Sequence, residues 1–169
     1  VSDFVEWAKW LQAQPWVKPE KIGVEGFSFG GTMTTLLVAT APEYFHYGIA
    51  GGGVTDWMLY DTHYTERFMS TPGDNPEGYA RTRLLDRVKS YPAKLGSSDG
   101  SVMLKLTHGS GDDNVHFQNT LQLLDVLQEI GADFEFMVYP DGMHGYRGYQ
   151  GAHFQQANRD FWTKYLLEK

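Results

Sequence analysis

The sequence contains no cysteine. That excludes a disulfide framework, a thiolate metal centre and a cysteine nucleophile. Basic residues are scarce beside acidic ones: 14 Lys and Arg stand against 21 Asp and Glu, a net charge of −7. Such a balance does not supply the broad basic face that nucleic acid demands. No apolar run approaches the roughly 20 residues of a membrane-spanning helix, and there is no like-charge block, low-complexity tract or internal repeat. The phosphate-cradling patterns G-x-x-x-x-G-K-[ST] and G-x-G-x-x-G are missing, so nucleotide binding lacks a motif. Asp112, Asp113, Asn114 and His116 crowd one short stretch, but their spacing matches no metal-ligand motif.

What is present is a core-forming composition. Hydrophobic residues make up 41% of 169, enough for a packed interior within a single domain by length. Aromatics reach 15%, an excess that serves either a large core or an aromatic pocket.

Ser2 and Asp3 are suitable N-caps, and Phe4, Trp7, Ala8 and Leu11 then fall on one helical face before Pro15. A short strand is expected over Ile22–Gly26, a buried helix over Phe29–Ala41 and a second strand over Tyr47–Gly53. Residues 54–101 read as a long insertion with helical pieces at Thr62–Met69 and Gly78–Lys89. A third strand, Val102–Thr107, precedes a helix over Phe117–Ile130, whose Leu121, Leu124 and Leu127 recur at helical spacing and which Gly131 stops. Phe134–Tyr139 is a fourth strand, and Gln150–Leu167 the closing helix. This alternation predicts an α/β fold with a parallel sheet and helices on both faces. In such sheets the functional groups gather at the C-terminal ends of the strands.

Gly26-Phe27-Ser28-Phe29-Gly30 fits the G-x-S-x-G nucleophile elbow and lies between a predicted strand and a predicted helix, as that motif requires. The glycines make room for a strained turn that projects the serine. The Phe29 N–H, at the helix N-terminus, faces a developing oxyanion. A serine needs a base oriented by an acid, and in this fold the chain order is Ser, acid, His. Asp112 and Asp113 follow the third strand, and His144 follows the fourth. The residues alone do not separate Asp112 from Asp113. His46, His63, His108, His116 and His153 fit the base less well, because none directly follows the last strand. This chemistry needs no cofactor and no metal.

At these residues the chain resembles the prolyl oligopeptidase family, and within it the dipeptidyl peptidase IV group. The resemblance rests on the elbow extended to Gly31, on Trp57, Tyr60 and Tyr64-Thr65-Glu66-Arg67, on His108-Gly109 with Asp112-Asp113-Asn114-Val115-His116-Phe117-Gln118, and on His144-Gly145. It implies an α/β-hydrolase fold, a Ser28–Asp112–His144 triad, and the release of N-terminal dipeptides after Pro or Ala. Related tripeptidyl, oligopeptidyl and acylaminoacyl peptidases are the neighbouring alternatives, and a non-enzymatic relative serving as an interaction module is the alternative of another class. The resemblance further implies a pocket for Pro or Ala lined by Phe29, Val54, Trp57, Tyr60, Tyr64 and Val115, with Asn114 on a substrate carbonyl. Tyr64–Arg67 also has a structural reading, with Glu66 and Arg67 in a local ion pair.

Residues 1–169 would then be the C-terminal part of a catalytic domain. The family's domain places further strands, and a Tyr donor to the oxyanion, ahead of the position of Val1. Its β-propeller carries the acidic anchor for the substrate amine. Lacking these, the isolated chain is expected to be inactive. A homodimer and a periplasmic, cell-surface or secreted location are implied for the full-length protein. Two departures stand out: Phe29 replaces the usual Tyr, and the stretch from Leu84 to Ser101, with Ser97-Ser98-Asp99-Gly100, is longer than usual.

Overall fold

The computed structural model describes residues 1–96 and 100–167; Ser97, Ser98 and Asp99 of the lengthened stretch lie outside the described residues. Four parallel strands, β1 (Gly23–Phe27), β2 (Tyr47–Gly51), β3 (Met103–Gly109) and β4 (Glu135–Tyr139), form one sheet in chain order. β2 and β3 are buried along their whole lengths, as expected for inner strands of a parallel sheet.

Side-chain alternation sorts the core into two halves. Ala50, Leu104 and Leu106 turn to one face, where α2 (Phe29–Thr40) supplies Leu37 and Val38 and α6 (Gln118–Glu129) supplies Leu123 and Leu127. Tyr47, Ile49 and Met103 turn to the other, against Phe161 of α7 (Gly148–Trp162) and Tyr165 in the π-helical turn that follows. Helices therefore cover both faces. Lys105, on the α7 face, is itself buried. Its ammonium donates to the Ala157 carbonyl at 2.7 Å, and burial lowers its pKa.

Two helical faces differ from expectation. α1 (Ser2–Gln12) starts at Ser2 with Val1 as cap and no side-chain capping bond; Asp3 instead lies in its first turn, where its charge favours the helix dipole. Its inward residues are Ala8, Val5 and Leu11, while Phe4 and Trp7 face outward, Trp7 being 66% exposed. Trp7, Trp10 and Trp16 pack edge-to-face on one another instead of on the sheet. In α6, Leu123 and Leu127 are buried and Leu121 is half exposed, a rotation of one position from the predicted stripe.

The β2–β3 connection is built from short pieces: a 3-10 turn (Trp57–Leu59), α3 (Thr62–Met69), α4 (Pro76–Thr82) and α5 (Leu84–Arg87). Asp56, Asp61 and Asn75 cap the first three through their side chains, which is how segments this short hold their shape. Arg83 ties α5 back to the first turn through a 2.8 Å bond to Asp56. Glu66 and Arg67 form no mutual ion pair among the described residues; adjacent helical residues point about 100° apart and do not face each other. No described helix is long and apolar enough to cross a membrane.

Candidate active site

β1 ends at Phe27, and α2 begins at Phe29. The single residue between them, Ser28, has φ 59° and ψ −124°, a conformation that costs a non-glycine residue about 1–3 kcal/mol. The turn is held by the Ser28 N–H donating to the Gly51 carbonyl at 2.8 Å, while the Gly31 N–H donates to the Ser28 carbonyl at 2.9 Å. Ser28 is the N-cap of α2 but does not cap it with its side chain, so its hydroxyl is directed elsewhere.

The glycines divide unequally. A Cβ on Gly26 would run into the Gly30 backbone, and one on Gly31 into the Gly51 carbonyl, whereas one on Gly30 meets nothing within 4 Å. The steric reason expected for the second motif glycine therefore applies to Gly31. Gly31→Ala is expected to destabilise the protein by about 1–3 kcal/mol through overpacking against backbone, read as a lowered thermal midpoint. An unchanged midpoint would mean that the β1–α2 turn yields freely.

The Ser28 hydroxyl donates to His144 Nε2 at 2.9 Å, and His144 Nδ1 donates to Asp112 Oδ2 at 2.8 Å. Asp112 is 5% exposed. Its Oδ1 accepts the Asn114 and Val115 N–H groups, each at 3.0 Å. Asp113 is exposed. With a carboxylate on Nδ1, the imidazole carries its proton there and presents Nε2 as an acceptor to the serine. Phe27 packs against the ring, with centroids 5.1 Å apart.

The acid and histidine loops are also joined by backbone. Ser110 N–H donates to the Tyr139 carbonyl at 2.9 Å and Gly111 N–H to the Gly142 carbonyl at 3.0 Å. Asp141, at φ 55°, donates its N–H to Ser110 Oγ at 2.9 Å. Gly109 is required here, since a Cβ would run into the Gly142 carbonyl. Behind the loops, Tyr146 donates to Thr107 Oγ1 at 3.1 Å and stacks on Tyr139 at 4.1 Å; burial raises its pKa.

Beside the elbow, Trp57 stacks on Tyr64 at 6.3 Å and meets Tyr60 edge-on at 6.1 Å. Trp57 and Tyr64 contribute to one cavity and Tyr60 to another. One, of about 280 Å³, is lined by Phe29, Trp57, Tyr64, Thr65, Phe68 and Met69. The other, of about 730 Å³, is polar and includes Tyr60, Asp61, Asp113, Asn114 and His116 in its wall. Tyr60 donates to Asn114 Oδ1 at 2.7 Å, and burial raises the Tyr60 pKa. The structure thus brings Phe29, Trp57 and Tyr64 to one cavity and Tyr60 and Asn114 to the other. Val54 and Val115 are 3% and 0% exposed and line neither. Phe68 and Met69 were not anticipated from sequence, although Phe68 lies four residues after Tyr64 on α3, a spacing that puts the two rings in contact.

A parallel sheet with helices on both faces, a strained serine between strand and helix, and an acid and a histidine at later strand ends define the α/β-hydrolase class. The model of the prolyl oligopeptidase family matches residues 1–169. A protein of Uncinocarpus reesii named probable dipeptidyl-aminopeptidase B is 44% identical over 145 residues, 85% of this chain and 15% of its own length. One of the same name from Coccidioides posadasii is 41% identical over 160 residues, covering 93% of this chain and 16% of its own length. The crystal structure of Porphyromonas gingivalis dipeptidyl peptidase 4 superposes with a TM-score of 0.89 at 32% identity, over 98% of this chain and 22% of that one. The chain belongs to the prolyl oligopeptidase family and spans about a sixth of the length of the curated relatives it matches.

Proposed function

We propose that residues 1–169 are part of the catalytic domain of a serine peptidase that releases N-terminal dipeptides after Pro or Ala. The observation that carries this reading is the continuous hydrogen-bonded line from Ser28 through His144 to Asp112, beside an aromatic cavity. The names of the relatives support the release of dipeptides.

Ser28 Oγ attacks the carbonyl carbon of the scissile bond as its proton passes to His144 Nε2. The tetrahedral oxyanion accepts the Phe29 N–H, one of the first N–H groups of α2, which have no partner inside a helix. His144 returns the proton to the departing amine nitrogen as the C–N bond breaks, leaving an ester on Ser28. Water then attacks the ester with His144 as base, the dipeptide leaves as a carboxylate, and the proton returns to Ser28 Oγ. Asp112 holds the ring in place and stabilises the imidazolium.

Trp57, Tyr64 and Phe29 offer flat apolar walls to a proline ring. Asn114, with its oxygen engaged by Tyr60, has its amide N–H groups left to meet a substrate carbonyl. Trp57→Ala in the full-length protein is expected to reduce kcat/KM for a Gly-Pro chromogenic substrate by about 1–3 kcal/mol and to change a Gly-Lys substrate far less. Equal kcat/KM for the two substrates in the unsubstituted protein would sink the proline specificity.

A further inference from the structure

His108 lies beside the triad but has no part in the proton path. It belongs to β3 and its side chain is completely buried. Its Nδ1 is 2.6 Å from Thr120 Oγ1 on α6, and its Nε2 is 2.8 Å from the Val115 carbonyl. The same Nε2 is 3.3 Å from Asp112 Oδ2, the oxygen that holds His144. Phe117 closes over the ring edge-on, with centroids 5.5 Å apart.

These partners settle the tautomer. A carbonyl only accepts, so the proton resides on Nε2 and points at Val115 and Asp112. Nδ1 is then an acceptor, and the Thr120 hydroxyl donates to it. Every polar atom of the neutral ring is satisfied. The titratable groups facing the ring are Asp112 and His144. Burial lowers the His108 pKa, outweighing the bond to Val115 and the attraction of Asp112.

We propose that His108 is a positioning residue: its one proton, aimed by Thr120, clamps residues 112–115 so that the carboxylate of Asp112 faces His144. The clamp works on both ends of the acid loop. The Val115 N–H is held by Asp112 Oδ1 and the Val115 carbonyl by His108, so the loop cannot rotate about Val115 without breaking one bond or the other. A second cation beside Asp112 would compete for the charge that stabilises the His144 imidazolium. A neutral ring supplies a donor without that competition. This inference rests on the reading of Ser28, His144 and Asp112 as a triad.

The test measures the rate at which a fluorophosphonate labels Ser28 across pH in the full-length protein. His108→Leu removes both ring nitrogens, whereas His108→Gln places an amide N–H close to the lost Nε2–H. Labelling by the leucine variant is expected to fall on the order of 100-fold, the cost of a misplaced catalytic group, and glutamine to recover most of it. The acid limb of the pH–rate profile should move to lower pH in the leucine variant, because the imidazolium formed in the reaction loses the carboxylate aligned to stabilise it. A role in packing alone would reduce the labelled fraction and leave that limb in place. Should His108→Leu not fold, Thr120→Val keeps the volume, removes the hydroxyl that holds Nδ1 and with it the ring's orientation, and is expected to shift the limb the same way. Wild-type rates and an unmoved limb in a folded variant would overturn the proposal. Failure of the unsubstituted protein to label at Ser28 would instead remove the triad reading beneath it.

Discussion

Ser28→Ala is expected to lower kcat of the full-length protein for peptide substrates by about 10⁶-fold while leaving KM and the thermal midpoint nearly unchanged. The backbone at position 28 is already held by bonds of its own N–H and carbonyl to Gly51 and Gly31, none of which uses the hydroxyl. What disappears is the nucleophile and a single bond to His144, a bond worth about 1 kcal/mol. Steady-state kinetics with a Gly-Pro chromogenic substrate, together with a melting curve, separates the two effects. Residual turnover above about 1% would point to a different nucleophile, since loss of the attacking group alone removes nearly all covalent catalysis.

Asp112→Asn should reduce kcat by about 10⁴-fold, the cost of putting the base in its wrong tautomer. The route can be followed atom by atom. Asp112 Oδ1 accepts two backbone N–H groups, so the asparagine oxygen takes that place and the amide nitrogen replaces Oδ2. It then donates to His144 Nδ1, the imidazole proton moves to Nε2, and Ser28 faces a donor that cannot take its proton. Asp113→Asn, at an exposed position outside this network, should change kcat by less than about threefold, in line with a surface substitution. The opposite ranking of the two variants would assign the acid to Asp113.

The strands were legible because the parallel sheet leaves its own signature: short apolar runs, each stopped by Gly or Pro, separated by longer segments of helical period. Helical faces were less legible. Periodicity fixes a stripe only to within one position, so Phe4, Trp7 and Leu121 read as core candidates while Val5 and Leu123 took those places. On α1 the tryptophans satisfy one another at the surface, an outcome that pattern counting does not distinguish from burial. The spacing of Ser28, Asp112 and His144 at three strand ends was readable from motif and order. The choice between two adjacent aspartates was not, because it depends on which carboxylate folds back onto its own loop. Trp57, Tyr60 and Tyr64 were reached through family resemblance, since the capped turns that aim them have no periodicity. His108 does not follow the last strand and so reads as unsuited to be the base; its contact with Asp112 depends on burial that no local pattern reveals.

Residues that would perform the reaction come from the ends of β1, β3 and β4, whereas most of the aromatic wall, from Trp57 to Met69, comes from the one connection between β2 and β3. That connection has its own caps and its own Asp56–Arg83 tie, and it meets the acid loop at the Tyr60–Asn114 bond and α6 at the buried Thr55–Asn119 bonds. Under the proposed function, the chemistry and most of the selectivity are therefore carried on different stretches of the gene. Exchanges confined to residues 57–69, outside the core supplied by Leu84, Leu85, Val88 and Tyr91, would then remodel the cavity while the strand registers that align serine, histidine and aspartate are passed on unaltered. A scaffold divided in this way lets a lineage diversify its diet by varying one segment, without reinventing how the bond is cut.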